Sequence, residues 1–299
     1  MTSVGTGPSS GRPQRREGQE PRRTAARGQP QHRPPEEAGS WDHVAAWYDS
    51  LAAQRGTDFH QAVIIPGVLR LLELKPGERA LDMACGQGVV SRALHKAGAE
   101  VTGVDLSPRL IKLARQRSRR AIRFLVADVG DLRQVLSDGE TFDAAACVLA
   151  LENMDPVEPP LAECSRLLKT GGRLVVVTVH PAFRIPRQSS WGWDKSQQQM
   201  FRGVNCYLSP LKIPIDMRPF KEPARQVTWT YHRPIQTYIN GLAKVGLWVN
   251  AVEEWPSHRV SQPGPRARAE NRARKEFPLF LALRVVKVMT PGDTQANRT

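Results

Sequence analysis

Residues 80–129 read ALDMACGQGVVSRALHKAGAEVTGVDLSPRLIKLARQRSRRAIRFLVADV, and their rhythm decides the fold class. Short apolar runs at 80–84, 100–104 and 122–127 alternate with segments near 89–97 and 108–118, which carry helical patterning. The same rhythm continues through apolar runs at 142–149 and 173–179, with a helical segment at 157–169 between them. Strand, helix, strand in succession requires right-handed crossovers, and so a mostly parallel sheet covered by helices on both faces. Three of the runs end in or beside an aspartate, at Asp82, Asp105 and Asp128, each 23 residues from the next. One βα unit separates each pair. The carboxylates therefore line up along the carboxyl edge of the sheet, where open α/β sheets bind ligands.

The turn LDMACGQG (81–88) joins the first strand to the first helix, where free backbone N–H groups can meet a ligand. A dinucleotide turn has the form G-x-G-x-x-G/A; the frame from Gly86 gives Gly86, Gly88, Ser91 and the frame from Ala84 gives Ala84, Gly86, Val89. Neither fits well. A phosphate-cradling P-loop is excluded more firmly, because no Lys-Ser or Lys-Thr follows the glycines. What remains is acid, x, small, x, Gly, x, Gly: Asp82, Ala84, Gly86, Gly88. A carboxylate at the mouth of the turn repels a pyrophosphate but suits a ligand with an amino group and a positive centre.

At 299 residues and 40% apolar content the chain can build one large domain with an inserted lobe. Residues 1–40 are rich in Pro, Gly, Arg, Gln and Ser and nearly lack large apolar side chains, so they read as a disordered basic tail. They carry seven Arg and four Glu, so most of the formal net charge of +14 belongs to residues 41–299. A basic balance suits nucleic acid. Its main concentration, between Arg109 and Arg123, reads better as the solvated face of a helix. No apolar run reaches the length of about 18 residues that a membrane span needs, and no signal-peptide core is present, so the expected location is cytoplasmic. The cysteines, Cys85, Cys147, Cys164 and Cys206, form no C-x-x-C and read as small buried fillers, not a disulfide framework or a metal site.

Trp41, Val44, Tyr48 and Leu51 recur at helical spacing, and a second helical stretch over 58–73 is expected to bend at Pro66. Gly171 stands where a C-terminal helix cap would sit. The strand–helix rhythm breaks after His180. Residues 181–232 read as an insertion that roofs the ligand edge, with strands near 199–207 and 226–231. A helix starting at Pro234 and ended by Gly246 follows, then strands at 247–253 and 279–287 separated by a basic stretch, 256–278.

LDMACGQG, VTGVDLS (101–107), FLVADVGDL (124–132), FDAAACVLALENM (142–154) and LLKTGGRLVV (167–176) resemble, in order, the five motifs of class I S-adenosylmethionine-dependent methyltransferases, with Ala84 in place of the first glycine. One such motif is weak; five at one-unit spacing are strong. The resemblance implies a Rossmann-like, mostly parallel seven-stranded sheet with its last strand antiparallel. It also implies S-adenosylmethionine as cofactor and no metal. By the same resemblance Asp105 would accept the ribose hydroxyls, Asp128 and Val129 would read the adenine amino edge, and Leu106 would pack on the ring. The turn containing Asp82, Ala84, Cys85, Gly86 and Gly88 would face the methionyl part, with Leu149 of the fourth motif beside it. Tyr48 is similar to an N-terminal aromatic that closes over the cofactor, and packing of the first helix on the sheet explains it equally well.

Methyl transfer is an in-line displacement that needs positioning and exclusion of water, plus a base if the acceptor is a hydroxyl or a protonated amine. Glu152 and His180, just past the fourth and fifth strands, are the candidate catalytic residues, with a purely structural hydrogen bond as the competing reading of each. His60, His232 and His258 are weaker candidates. Trp191 and Trp193 suit a planar acceptor, although ordinary packing of the lobe explains them better. HPAFRIPRQSSWGWD and RARAENRARKEFPLFLALR look similar to bacterial small-molecule methyltransferases of the group that includes quinone-biosynthesis enzymes. The Asn/Asp-Pro-Pro-aromatic tetrad of enzymes that methylate base or glutamine nitrogens is absent after the fourth strand. A small-molecule acceptor is therefore the leading reading. An RNA methyltransferase and a non-catalytic cofactor-binding or interaction scaffold are the alternatives, and the oligomeric state is open.

Overall fold

Strands β1 (Arg79–Met83), β2 (Glu100–Asp105), β3 (Arg123–Val126), β4 (Phe142–Val148) and β5 (Leu168–Val179) follow the five predicted apolar runs. The structure, a computed structural model, describes residues 41, 42, 44, 45, 49, 55–118, 121–216 and 227–289. The expectations for the tail 1–40 and for Tyr48 lie outside those residues. With β10 (Leu247–Trp255) and β11 (Phe280–Lys287) the five strands form one seven-stranded sheet in the order β10-β11-β5-β4-β1-β2-β3. β11 runs antiparallel to both of its neighbours, while β1 to β5 pair in parallel.

The chain steps outward from β1 to β3 and then returns to lay β4 against the other side of β1. That reversal opens a crevice at the carboxyl ends of β1 and β4, the standard ligand position of such sheets. The helices Val89–Lys96, Pro108–Arg117 and Glu158–Leu167 make the crossovers. Ser107 caps the second of them by accepting the Leu110 N–H at 3.2 Å, with a proline in the first turn.

Strand residues alternate between two cores, one on each sheet face. Leu81, Met83, Ala145 and Cys147 join Leu132, Phe142 and Leu161 on one face; Ala80, Ala144 and Ala146 join Ile64, Leu94 and Ile111 on the other. Trp255, at the end of β10, lies directly over Gly67 in the helix Ile65–Leu72, where a Cβ would overlap the indole ring. Gly67→Ala therefore overpacks this contact at a cost of about 1–3 kcal/mol, and is expected to lower the melting temperature by several degrees in a thermal unfolding scan.

The structure departs from the sequence reading in five places. Among its described residues the segment 181–232 holds four strands, in antiparallel pairs β6 (Ser189–Asp194) with β7 (Gln199–Val204) and β8 (Leu211–Asp216) with β9 (Val227–His232). β6 and β8 escaped notice because Gly192 and Pro214 lie inside them. Both residues are tolerated in two-stranded sheets, and the Phe201 ring covers Gly192. The basic stretch 256–278 contains the helix Ala267–Glu276, of which only Ala273 is buried, so it presents no apolar stripe. A turn of π-helix, His60–Ile64, precedes Pro66. Gly171 has φ +77° inside β5 rather than capping the preceding helix, which ends as Leu168 turns extended; Gly246, at φ +75°, does follow the helix Ile235–Lys244. Cys85, Cys147 and Cys164 are buried free thiols as expected, but Cys206 is exposed.

Candidate active site

A cavity of about 590 Å³ opens at the carboxyl ends of β1, β2 and β4. Asp82, Ala84, Cys85, Gly86, Asp105, Leu106, Asp128, Val129, Leu149, Glu152 and His180 all border it. Gly88 does not. It starts the helix Val89–Lys96 at φ +78°, and a Cβ there would come within 2.9 Å of the Phe124 ring.

The turn is held in shape by the acids it serves. Ala84 and Gly86 take φ of +54° and +55°, and Asp105 accepts the Gly86 N–H at 2.8 Å and the Ser107 N–H at 2.9 Å. An alanine in the left-handed region costs about 1–2 kcal/mol, so the exchange of the family's glycine for Ala84 stores strain at this turn. Asp82 is 1% exposed and accepts the Ser91 hydroxyl at 2.5 Å. Burial pushes its carboxyl up to about 7, with the Asp105 charge adding to the rise and Ser91 opposing it. Burial raises Asp105 as well, against the two N–H donors. Asp128 is exposed and folds back to accept the Gly130 N–H at 2.8 Å.

Glu152 sits on the single 3-10 turn Leu151–Asn153 that follows β4. Its Oε1 accepts the Val179 N–H at 3.4 Å, and its Oε2 is buried with no hydrogen-bond partner among the described residues. Burial lifts this carboxyl to about 7. Tyr238 stands nearby, its phenol influenced by both Glu152 and Arg233. Arg233 donates to Met154 O at 2.6 Å and Asp155 Oδ1 at 2.7 Å, while its Nη1 is buried and unpaired among the described residues.

His180 is a strut. Its Nδ1 accepts the Ala182 and Phe183 N–H groups at 3.2 and 3.3 Å, which leaves the proton on Nε2 for Glu254 at 2.7 Å. With both ring nitrogens engaged and burial lowering its basicity, the residue has no free lone pair for an acceptor. The weaker histidines are similarly committed: His60 to Thr57 at 2.9 Å, His232 to Tyr207 O at 2.8 Å and His258 to Asp58 at 3.5 Å. Trp191 and Trp193 do not line the cavity. Trp191 packs edge-on to Phe277 at 5.3 Å and Trp193 lies under Arg266 at 4.7 Å, so the planar-acceptor reading of this pair gives way to lobe packing.

This geometry has relatives. The methyltransferase-domain family model matches residues 81–176, the span from β1 to β5. The ubiquinone biosynthesis O-methyltransferase of Xylella fastidiosa (strain 9a5c) is 28% identical over 192 residues, covering 63% of this chain and 73% of its own. The protein of the same name from Xanthomonas campestris pv. campestris (strain B100) is 34% identical over 137 residues, 45% of this chain and 56% of its own. Among solved structures, an S-adenosylmethionine-dependent methyltransferase from Mesorhizobium loti superposes with a TM-score of 0.58 at 26% identity, over 74% of this chain and 96% of that one. The chain is a class I S-adenosylmethionine-dependent methyltransferase.

The cofactor of the methyltransferase is S-adenosylmethionine, and the cavity fits it. Two buried carboxylates, Asp82 and Asp105, face a space that a cationic ligand would neutralise. Gln87, 1% exposed within the turn, has both side-chain amide atoms without partners among the described residues, a donor and an acceptor in need of a polar ligand. Sequence reasoning missed Gln87, Arg233, Tyr238, Asn153 and Thr230, all of which border the cavity. Gln87 had a signal, its place between Gly86 and Gly88. Asn153 also had one, its place beside Glu152 on the turn after β4, whereas Thr230 comes in from the lobe and Arg233 and Tyr238 from just before and within the helix Ile235–Lys244, where no spacing rule points to the cavity. No helix among the described residues is long and apolar enough to cross a membrane.

Proposed function

We propose that the methyltransferase transfers a methyl group to a hydroxyl of a small-molecule acceptor seated against Glu152. The observation that carries this reading is the buried, unpaired Oε2 of Glu152 on the cavity wall. A carboxylate with a vacant lone pair, raised to about 7 by burial, is tuned to take a proton near neutral pH. The O-methyltransferase names of the relatives favour oxygen as the acceptor atom. S-adenosylmethionine supplies an electrophilic methyl carbon on a sulfonium.

Asp105 accepts the ribose hydroxyls, Leu106 covers the adenine and Asp128 with the Val129 N–H reads its edge. The turn Asp82–Gly88, with Ala84 and Cys85, holds the methionyl end beside Gln87 and Leu149. Glu152 Oε2 would take the proton of the acceptor hydroxyl as that oxygen bonds to the methyl carbon and the methyl–sulfur bond breaks, the neutral thioether being the leaving group. Tyr238 and Arg233 surround that oxygen, and His180 fixes the end of β5 to β10 so that Val179 keeps hold of Glu152. The lobe 181–232 excludes water, lining the cavity with Pro181, Ile185, Pro186 and Thr230. Four thiols outside any disulfide suit a reducing cytoplasmic setting.

The test is transfer of labelled methyl from S-adenosylmethionine into a bacterial metabolite extract. Label is expected in a small organic product whose methyl is ether-linked. Label confined to RNA, or on nitrogen or carbon, would overturn the assignment.

A further inference from the structure

The arginines around the sheet face carboxylates: Arg117 meets Asp49 at 2.5 Å, Arg166 meets Glu163 at 2.6 Å and Arg173 meets Glu78 at 2.5 Å. Arg184, Arg202 and Arg274 make no ion pair among the described residues. All three are half-buried, and Arg184 borders the cavity. An aromatic wedge gathers them. Phe183 and Trp191 each meet Phe277 edge-on, at 5.6 and 5.3 Å. Arg184 follows Phe183 in the chain. Arg202, on β7, donates Nε to Phe183 O at 2.7 Å and Nη2 to Ser189 Oγ at 2.6 Å, with its guanidinium over Trp191 at 5.1 Å. Arg274, in the helix that ends at Phe277, donates to Ser261 Oγ at 3.1 Å.

Arg184 stands between the other two, close enough to each for the charges to oppose. Burial and then the Arg274 charge lower the basicity of Arg184, burial and then the Arg184 charge lower that of Arg202, and no acidic group offsets either. Converging, partly desolvated guanidiniums are costly unless an anion joins them.

We propose that Arg184, Arg202 and Arg274 form an anion subsite at the cavity rim that holds a phosphoryl group, a phosphate or diphosphate ester, carried by the methyl acceptor. Three positive charges match a phosphoryl dianion better than a single carboxylate, and arginine forks suit phosphate oxygens. A phosphate track for RNA would extend over more contacts. The basic stretch that could prolong it is already engaged, with Arg109, Arg117 and Arg123 paired to Asp42, Asp49 and Glu140. The proposal rests on the reading of this cavity as the methyl-transfer site.

Its first arm is calorimetric titration of the full chain with inorganic pyrophosphate, for the wild type, Arg184→Gln and Arg274→Gln. Each variant's fold is checked by its S-adenosylmethionine affinity. Saturable wild-type binding is expected, weakened about tenfold or more in both variants while cofactor affinity is unchanged. No saturable binding, or equal binding by folded variants, would overturn the subsite. In the second arm the extract is treated with alkaline phosphatase or ribonuclease before the labelling reaction. Phosphatase should abolish the labelled product and ribonuclease should spare it. Product that survives phosphatase rules out the phosphorylated acceptor, and product lost to ribonuclease gives the subsite to RNA instead. Because pyrophosphate binding is read without turnover, a failure of methyl transfer would sink the proposed function and leave the anion subsite to stand or fall on the titration.

Discussion

Glu152→Gln is expected to lower the rate of methyl transfer by about 10²–10⁴-fold, the usual contribution of a positioned general base, with S-adenosylmethionine affinity unchanged. Gln keeps the shape of the side chain and can still accept the Val179 N–H, but it cannot take a proton. The wild-type rate should fall as pH drops through about 7, where burial places the carboxyl, and the residual rate of the variant should lack that limb. Stability moves in the opposite direction. The folded-state pKa lies above the ordinary value of 4.5, so the folded protein binds the proton more tightly than the unfolded chain. The wild type therefore loses stability as pH rises from about 4.5 to about 7, by an amount on the order of 3 kcal/mol at most. Glu152→Gln should be the more stable protein at pH 8, and close to the wild type at pH 4. A variant that is inactive and also less stable at pH 8 would mean that Glu152 is a structural residue.

The second large effect is expected at Asp105. Asp105→Asn should weaken S-adenosylmethionine binding by about 10–100-fold, read by titration calorimetry, through the loss of charge-assisted hydrogen bonds to the ribose. Asp105 also holds the turn together. Both carboxylate oxygens accept backbone N–H groups, from Gly86 and Ser107, so an amide nitrogen must face one donor with another. The variant should melt a few degrees below the wild type. Unchanged cofactor affinity in a folded Asp105→Asn would remove this residue from the ribose site.

The parallel half of the sheet was legible because both of its signals are local. Apolar runs and helical periods alternate from β1 to β5, and the aspartates recur at the carboxyl edge at one-unit intervals. The acidic lining of the cavity came with them, since Asp82, Asp105 and Asp128 lie at or just past strand ends and their position follows from the strands. The lobe was not legible in the same way. β6 and β8 carry a glycine and a proline that argue against strands, and only their partners Phe201 and Trp229 explain the exceptions. His180 looked free at the end of β5 because its occupants arrive from elsewhere: Glu254 lies 74 residues on, in β10, and the two N–H groups follow from a tight turn after Pro181. Tyr238 comes near Glu152, and Arg233 reaches the cavity wall, only through the packing at and just before the helix Ile235–Lys244, which no spacing rule reveals.

If the acid-lined turn and the cavity before it hold S-adenosylmethionine, the chain binds that cofactor and not a dinucleotide. Calorimetric titration of the full chain with S-adenosylmethionine, and in parallel with NADH, tests it most directly. Saturable one-to-one binding of S-adenosylmethionine in the micromolar range, with none of NADH, is the predicted result. Binding of NADH, or of neither ligand by a folded protein, would contradict the account.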